Sequence, residues 1–219
     1  VVALTADHGG FDAPERHSEH AYPSASRAPL SLAAPVLSQM LAKQFGWQGA
    51  LIENRALGGD YWFTPNVPGN RRAEAAAWLK GELERQFAGK VAAVFAKADI
   101  AEIPVPTGNP ALWSLAQRVR ASFVPDRSGD IYIALLNGQQ PMPAGIRGYV
   151  ATHGSPWDYD RRVPILFWRK GMVPFEQPQP VETIDILPTL GSLIGLSVPA
   201  ESVDGRCLDL DAGPNSTCK

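Results

Sequence analysis

Val1-Val2-Ala3-Leu4-Thr5-Ala6-Asp7-His8-Gly9-Gly10 opens the chain and decides how the rest is read. An apolar run ends in an adjacent Asp–His pair, and two glycines follow at once. The run reads as a buried strand of an α/β sheet. The pair then stands just past the strand's carboxyl end, where open α/β sheets place their ligands. A carboxylate oxygen and an imidazole nitrogen are both suitable donors to a Zn²⁺-like ion. Gly9 and Gly10 permit a sharp turn that brings both side chains to one ion. The alternative is a plain strand-to-loop turn with a solvated Asp7 and His8.

A second element of the same design lies far downstream. Arg147-Gly148-Tyr149-Val150-Ala151-Thr152-His153-Gly154-Ser155 is again a short apolar strand that ends in His-Gly. The chain has four histidines. Two of them, His8 and His153, precede glycine at a strand end. The other two lie in Glu15-Arg16-His17-Ser18-Glu19-His20. Their H-x-x-H spacing suits a helical metal site, but Pro14 and Pro23 flank the stretch, and both histidines read as loop residues.

The residues now carry a family resemblance. Thr5-Ala6-Asp7-His8-Gly9-Gly10, then Thr152-His153-Gly154-Ser155, resembles the second half of the alkaline phosphatase superfamily. Tyr159-Asp160-Arg161-Arg162-Val163-Pro164-Ile165-Leu166-Phe167-Trp168 fits the same pattern. So does Glu182-Thr183-Ile184-Asp185-Ile186-Leu187-Pro188-Thr189-Leu190. Within that superfamily the chain looks most like the secreted bacterial alkaline phosphatases of the PhoK type, in the branch that also holds phosphodiesterases and nucleotide pyrophosphatases. The order of the motifs is far more specific than either short motif alone.

The resemblance implies an α/β fold: a mixed, mostly parallel sheet with helices on both faces. It implies two Zn²⁺ ions, with Asp7 and His8 on one and His153 on the other. It also implies a Thr or Ser nucleophile that attacks a phosphomonoester to give a phospho-enzyme. In the family the nucleophile and further ligands precede the Asp-His-Gly motif, and nothing precedes it here. Val1 is not a start methionine and opens inside an apolar run. The expectation is therefore the C-terminal part of a larger enzyme, inactive alone and completed by its N-terminal portion. Thr5 and Thr152 stand beside the ligand motifs but do not match the nucleophile's place, and read as structural. Two readings remain beside the phosphomonoesterase: a phosphodiesterase or nucleotide pyrophosphatase of the same superfamily, and a noncatalytic domain that kept the fold.

Composition agrees with a globular enzyme part. The 219 residues are 45% hydrophobic and 19% charged, with a formal net charge of −2. That balance gives no electrostatic case for nucleic acid or a membrane surface. No apolar stretch is long enough to span a bilayer. One domain over 1–219 is expected, with a small insert near 90–136, because both metal motifs fall outside that stretch. Helices are expected over 30–45, 72–87, 109–123 and 183–196, and strands over 90–97, 130–136 and 163–168.

Other residues carry two readings each. Asp158, Asp160 and Arg161-Arg162 either touch substrate phosphate, or orient a metal ligand from behind, or form a surface ion pair, and the ion pair is favoured. Tyr61, Trp62, Trp157 and Tyr159 either wall the substrate mouth or pack. Cys207 and Cys218 are the only cysteines. They bracket a short tail in which Gly213-Pro214 supplies a reversal, so a disulfide is expected. The pairing leans also on the resemblance to secreted phosphatases, and it implies a secreted or periplasmic protein.

Overall fold

The computed structural model describes residues 1–20, 22–145, 150–211 and 213–218. The first half of the expected strand over 147–152 lies outside these residues. The chain forms two compact units, one from Val1–Asp7, Pro106–Trp113 and Arg162–Lys219, the other from His8–Val105 and Ser114–Arg161.

In the larger unit, Ile52–Glu53 and Gly59–Phe63 form an antiparallel pair across a short connection. Ile131–Ala134 and Ala93–Ala96 complete a four-stranded antiparallel sheet. Two helices, Ala34–Phe45 and Arg72–Gln86, cover one face. They bury Leu37 and Leu41, and Ala75, Leu79 and Leu83, at 0% exposure. The four-residue spacing keeps each set on one side of its helix. Val94, Ile131 and Ile133 meet them from the sheet. Phe95 and Tyr132, on the alternate positions of their strands, pack instead on Ile100, Val119 and Phe123. Those three belong to or follow helices Lys97–Glu102 and Leu115–Ala121. Strand alternation thus puts helices on both faces, as expected.

Polar groups pin the sheet to its helices. Ser38 Oγ accepts from the backbone N–H of Leu51 and Ile52, at 3.2 and 3.0 Å. The Tyr61 hydroxyl donates to the Leu32 carbonyl at 2.9 Å, and the ring is 1% exposed. Asp60 Oδ1 accepts from the Gly129 N–H at 2.6 Å. Burial raises the Asp60 carboxyl above its ordinary value, and the Gly129 hydrogen bond only partly opposes this.

Mixed α/β class and two-sided cover hold, but the strand directions differ from the mostly parallel expectation. Among the described residues the single parallel ladder is Ser26–Arg27 with Gln139–Gln140. A connection as short as 54–58 makes a hairpin and cannot make the crossover that parallel neighbours need. Apolar runs alone carry no information on direction.

The helix expected over 109–123 divides. Pro110–Leu112 is a 3₁₀ turn capped by Asn109, and Leu115–Ala121 starts afresh. Ser114 Oγ accepts from Gln117 N at 3.3 Å, and Gln117 Oε1 accepts from Ser114 N at 2.9 Å. That reciprocal cap is a helix start in its own right.

In the smaller unit, Val2–Leu4 pairs antiparallel with Leu166–Trp168. The register sets Val2 against Trp168 and Leu4 against Leu166. These four side chains are 54–64% exposed, so the opening strand, expected to be buried, presents an apolar face. Helix Ile186–Leu193 follows a 3₁₀ turn, Thr183–Asp185. Asp185 accepts from Glu182 N and Arg206 N, each at 2.9 Å. Thr189 Oγ1 donates to Asp185 O at 2.6 Å and accepts from Leu208 N at 2.9 Å. Asp185 and Thr189 of the Thr-x-Asp-x-Leu-Pro-Thr motif thus fasten the C-terminal segment. Cys207 and Cys218 are joined by a disulfide, as expected.

Candidate functional site

The two His-Gly motifs meet through backbone pairing. Phe11–Asp12 pairs antiparallel with Ala151–Thr152, with Phe11 opposite Thr152. Ala13 N donates to Val150 O at 2.7 Å and extends the contact. His153 then follows one strand directly, and His8 stands shortly before the other. Their rings stack with centroids 3.5 Å apart and planes 10° apart. Both residues are exposed.

His8 Nδ1 lies 2.7 Å from the Gly9 carbonyl oxygen. A carbonyl only accepts, so Nδ1 carries the proton and the neutral ring's lone pair is on Nε2. Fixing the tautomer in this way is what a hydrogen bond to a metal-ligating histidine does. The near-parallel rings thus lie face to face at one place. Among the described residues no three His, Cys, Asp or Glu side chains converge. Asp7, the residue before His8, is exposed.

The turns behind the two histidines are held by one segment. Gly9 N donates to the Asp160 carbonyl at 2.7 Å. Ser155 N donates to Asp160 Oδ2 at 2.7 Å. Asp160 is 5% exposed, and its Oδ1 is buried with no hydrogen-bond partner among the described residues. A Cβ on Gly9 would stand 2.0 Å from the Tyr159 carbonyl oxygen, whereas one on Gly10 would meet Thr152 O at 3.6 Å. Neither glycine has positive φ. Gly9 is therefore required by close backbone approach, not by the sharp turn that the sequence suggested.

Asp160 also departs from the surface ion-pair reading, which applies to its neighbour. Asp158 Oδ1 accepts from Arg161 Nε at 3.1 Å and faces Arg118 at 3.3 Å. Arg118 also donates to Pro156 O at 3.4 Å.

An aromatic group supports the site from below. The Phe11 ring stacks on His17 at 4.4 Å and tilts on Tyr159 at 4.6 Å. It meets Tyr22 edge-on at 5.8 Å. Gln140 Nε2 donates to the carbonyls of Phe11 and Asp12, at 3.0 and 3.1 Å. Burial pushes the Tyr159 phenol up, with hydrogen bonds to Ser155 and Gly138 opposing. Burial pushes Tyr132 up as well, with the charges of Asp60 and Asp160 adding to it.

His17 and His20 were expected in a loop, but both lie in helix Pro14–His20. Pro14 is its first residue, where the missing N–H is unpaired in any helix and the fixed φ suits the turn. His17 packs on Phe11 rather than offering a second metal cluster. Of the four candidate wall aromatics, Tyr61 is core. Trp157 Nε1 donates to Leu135 O at 3.0 Å, and Tyr159 packs on Phe11. Trp62 is 42% exposed and donates to Arg127 O at 3.0 Å. Asp160 was legible as a residue that could orient a ligand, but not as the shared anchor of both turns, because its partners are backbone groups of any residue type.

No family profile matches the chain. Across its full length it is 47% identical to the alkaline phosphatase PhoK of a Sphingomonas species, and covers 39% of that protein. It is 43% identical to the alkaline phosphatase PhoD of Zymomonas mobilis, again along its full length, and covers 38% of it. The chain thus spans about two fifths of the length of these relatives. Solved structures of the alkaline phosphatase PafA, wild type and a substituted variant, share the fold with TM-scores of 0.73 and 0.72. They are 24% identical, and the match covers 94% of this chain and 37% of theirs. Along its whole length the chain is thus similar to part of the alkaline phosphatases PhoK and PhoD, and it has the fold of part of PafA.

Proposed function

We propose that this chain contributes part of a zinc-dependent phosphomonoesterase that works through a phospho-enzyme. The observation that carries the reading is the stacked pair of His8 and His153, delivered by two strand ends to one place. The names of the relatives support phosphatase chemistry in general. Asp7 and His8 would hold one Zn²⁺ and His153 the other. Two such ions stabilise the charge on the attacking and leaving oxygens of an in-line phosphoryl transfer. The residues of this chain hold and orient: the Gly9 carbonyl fixes the His8 tautomer, and the strand pairing of Phe11 with Thr152 brings the two segments that carry the histidines together.

Three ligands are too few for two tetrahedral ions. The nucleophile and remaining ligands would come from protein outside these 219 residues, as the longer relatives suggest. The exposed face of Val2, Leu4, Leu166 and Trp168 supports the same reading, because monomeric proteins rarely leave such patches bare. By itself the chain would then be inactive and prone to self-association. We read it as one phosphatase domain part, with the sheet-bearing stretch around 90–136 as an insert. Ala93–Ala96 and Ile131–Ala134 share their sheet with Gly59–Phe63, so an insert that keeps the sheet whole reaches back to Ile52. The disulfide fits a secreted or periplasmic location. No helix among the described residues is long and apolar enough to cross a membrane.

The test is metal content and p-nitrophenyl phosphate turnover of the complete protein. His153→Ala and Asp7→Ala should each lose close to one zinc and nearly all turnover. Full zinc occupancy in both variants would overturn the assignment.

A further inference from the structure

We propose that Asp160 is the positioning residue of this two-metal site, holding the turn after His8 with its carbonyl and the turn after His153 with its carboxylate. The inference rests on the metal reading above. Gly9, bonded to His8, donates its N–H to Asp160 O at 2.7 Å. Ser155, two residues past His153, donates its N–H to Asp160 Oδ2 at 2.7 Å. Strand pairing between Phe11–Asp12 and Ala151–Thr152 ends before either histidine, so it leaves both loop tips to be set by something else. Asp160 is the one residue found bonded to both tips among the described residues.

Asp160 is itself held firmly. Its N–H donates to Trp157 O at 3.0 Å within the turn Asp158–Arg161. The pairing of Asp158 with Arg161 and Arg118 pins that turn from outside, and Tyr159 packs on Phe11 from inside. At 5% exposure the carboxylate is shielded from water, which strengthens its hydrogen bond to Ser155. A charge-bearing acceptor of this kind costs desolvation, most of all at Oδ1, which is buried with no partner among the described residues. Supporting groups behind metal-ligating histidines typically change metal affinity or activity by about 10- to 100-fold when removed.

The unpartnered Oδ1 makes a clean experiment. Asp160→Asn keeps an oxygen for Ser155 N–H and replaces only the oxygen that makes no hydrogen bond. Asp160→Ala removes the acceptor and leaves the carbonyl link to Gly9. In the complete protein, zinc affinity would be measured by competition with a chelator, together with kcat, KM and thermal melting. Asp160→Ala should weaken zinc about 10- to 100-fold and lower kcat more than it raises KM. Asp160→Asn should recover most of both losses. If Asp160→Ala does not fold, Asp160→Glu keeps acceptor and charge on a longer arm, and it should weaken zinc in the same direction. Wild-type zinc affinity in Asp160→Ala, or in Asp160→Glu where that is the variant used, overturns the proposal. So does an Asn variant no better than Ala, or a lowered melting point with zinc affinity intact. His153→Ala separates the two readings: full zinc in that variant overturns the metal site and this proposal with it. Zinc lost from His153→Ala but kept by Asp160→Ala overturns this proposal alone.

Discussion

Gly9→Ala should damage both the fold and the site, while Gly10→Ala should do neither. An alanine Cβ at position 9 would stand 2.0 Å from the Tyr159 carbonyl oxygen and 3.0 Å from its carbon. Both atoms are backbone, so no side chain can swing away. Reaching tolerable contact requires the two segments to part by roughly 1 Å, the shortfall from the usual closest approach. The Gly9 N–H to Asp160 O bond, now 2.7 Å, would lengthen past the limit for a hydrogen bond. Losing it costs about 0.5–1.5 kcal/mol. Residual overpacking adds about 1–3 kcal/mol. The expected destabilisation is therefore about 2–4 kcal/mol, and a shift of His8 by about 1 Å should cost up to roughly 100-fold in turnover. At Gly10 the nearest atom to an added Cβ is Thr152 O at 3.6 Å, an ordinary contact, so the change should stay within about 0.5 kcal/mol. The assay is thermal melting and p-nitrophenyl phosphate turnover of the complete protein in both variants, with zinc supplied in excess. Equal melting points and equal turnover for the two variants would refute the close-approach argument.

Replacing Cys207 and Cys218 by Ser opens a crosslink between residues 11 apart, worth about 3 kcal/mol on the chain-entropy estimate, and should leave zinc content unchanged. Thiol titration of unreduced, denatured protein should find none, and two per chain would contradict the bridge. Asp60→Asn should raise stability at neutral pH. Burial raises the folded-state carboxyl pKa, so the ionised form is disfavoured in the fold, and stability from this group grows as pH falls through the raised value. The variant should lose that part of the acid-side rise, which urea unfolding at several pH values would show; an unchanged pH profile would argue against it.

The sequence reached the class, the relatives and the residue types at the site. Apolar runs ending in Asp7-His8-Gly9 and His153-Gly154 carry that information locally, because strand and turn signals and donor chemistry belong to the residues themselves. Gly46, at φ 74°, ends helix Ala34–Phe45 in the same local way, whereas its expected start at residue 30 is a separate 3₁₀ turn, Leu30–Leu32, and the helix opens with Pro35 in its first turn. Mistakes came where a competing local signal or a distant contact prevailed. The Ser114-x-x-Gln117 cap divided a helix that periodicity had run together. Pro14 began a helix where it had been taken to forbid one.

Sequence by itself named candidate metal donors, marked much of the chain punctuation, and determined which two cysteines could pair. Only the tertiary structure decided which groups meet. That His8 stacks on His153, that Gly9 is needed for the approach of Tyr159, and that Asp160 anchors both turns all rest on antiparallel pairing of Phe11–Asp12 with Ala151–Thr152. The physical reason is that backbone N–H and C=O groups are the same in every residue but proline. Contacts made through them leave no mark in the one-dimensional pattern and become visible only when the chain has brought distant segments together.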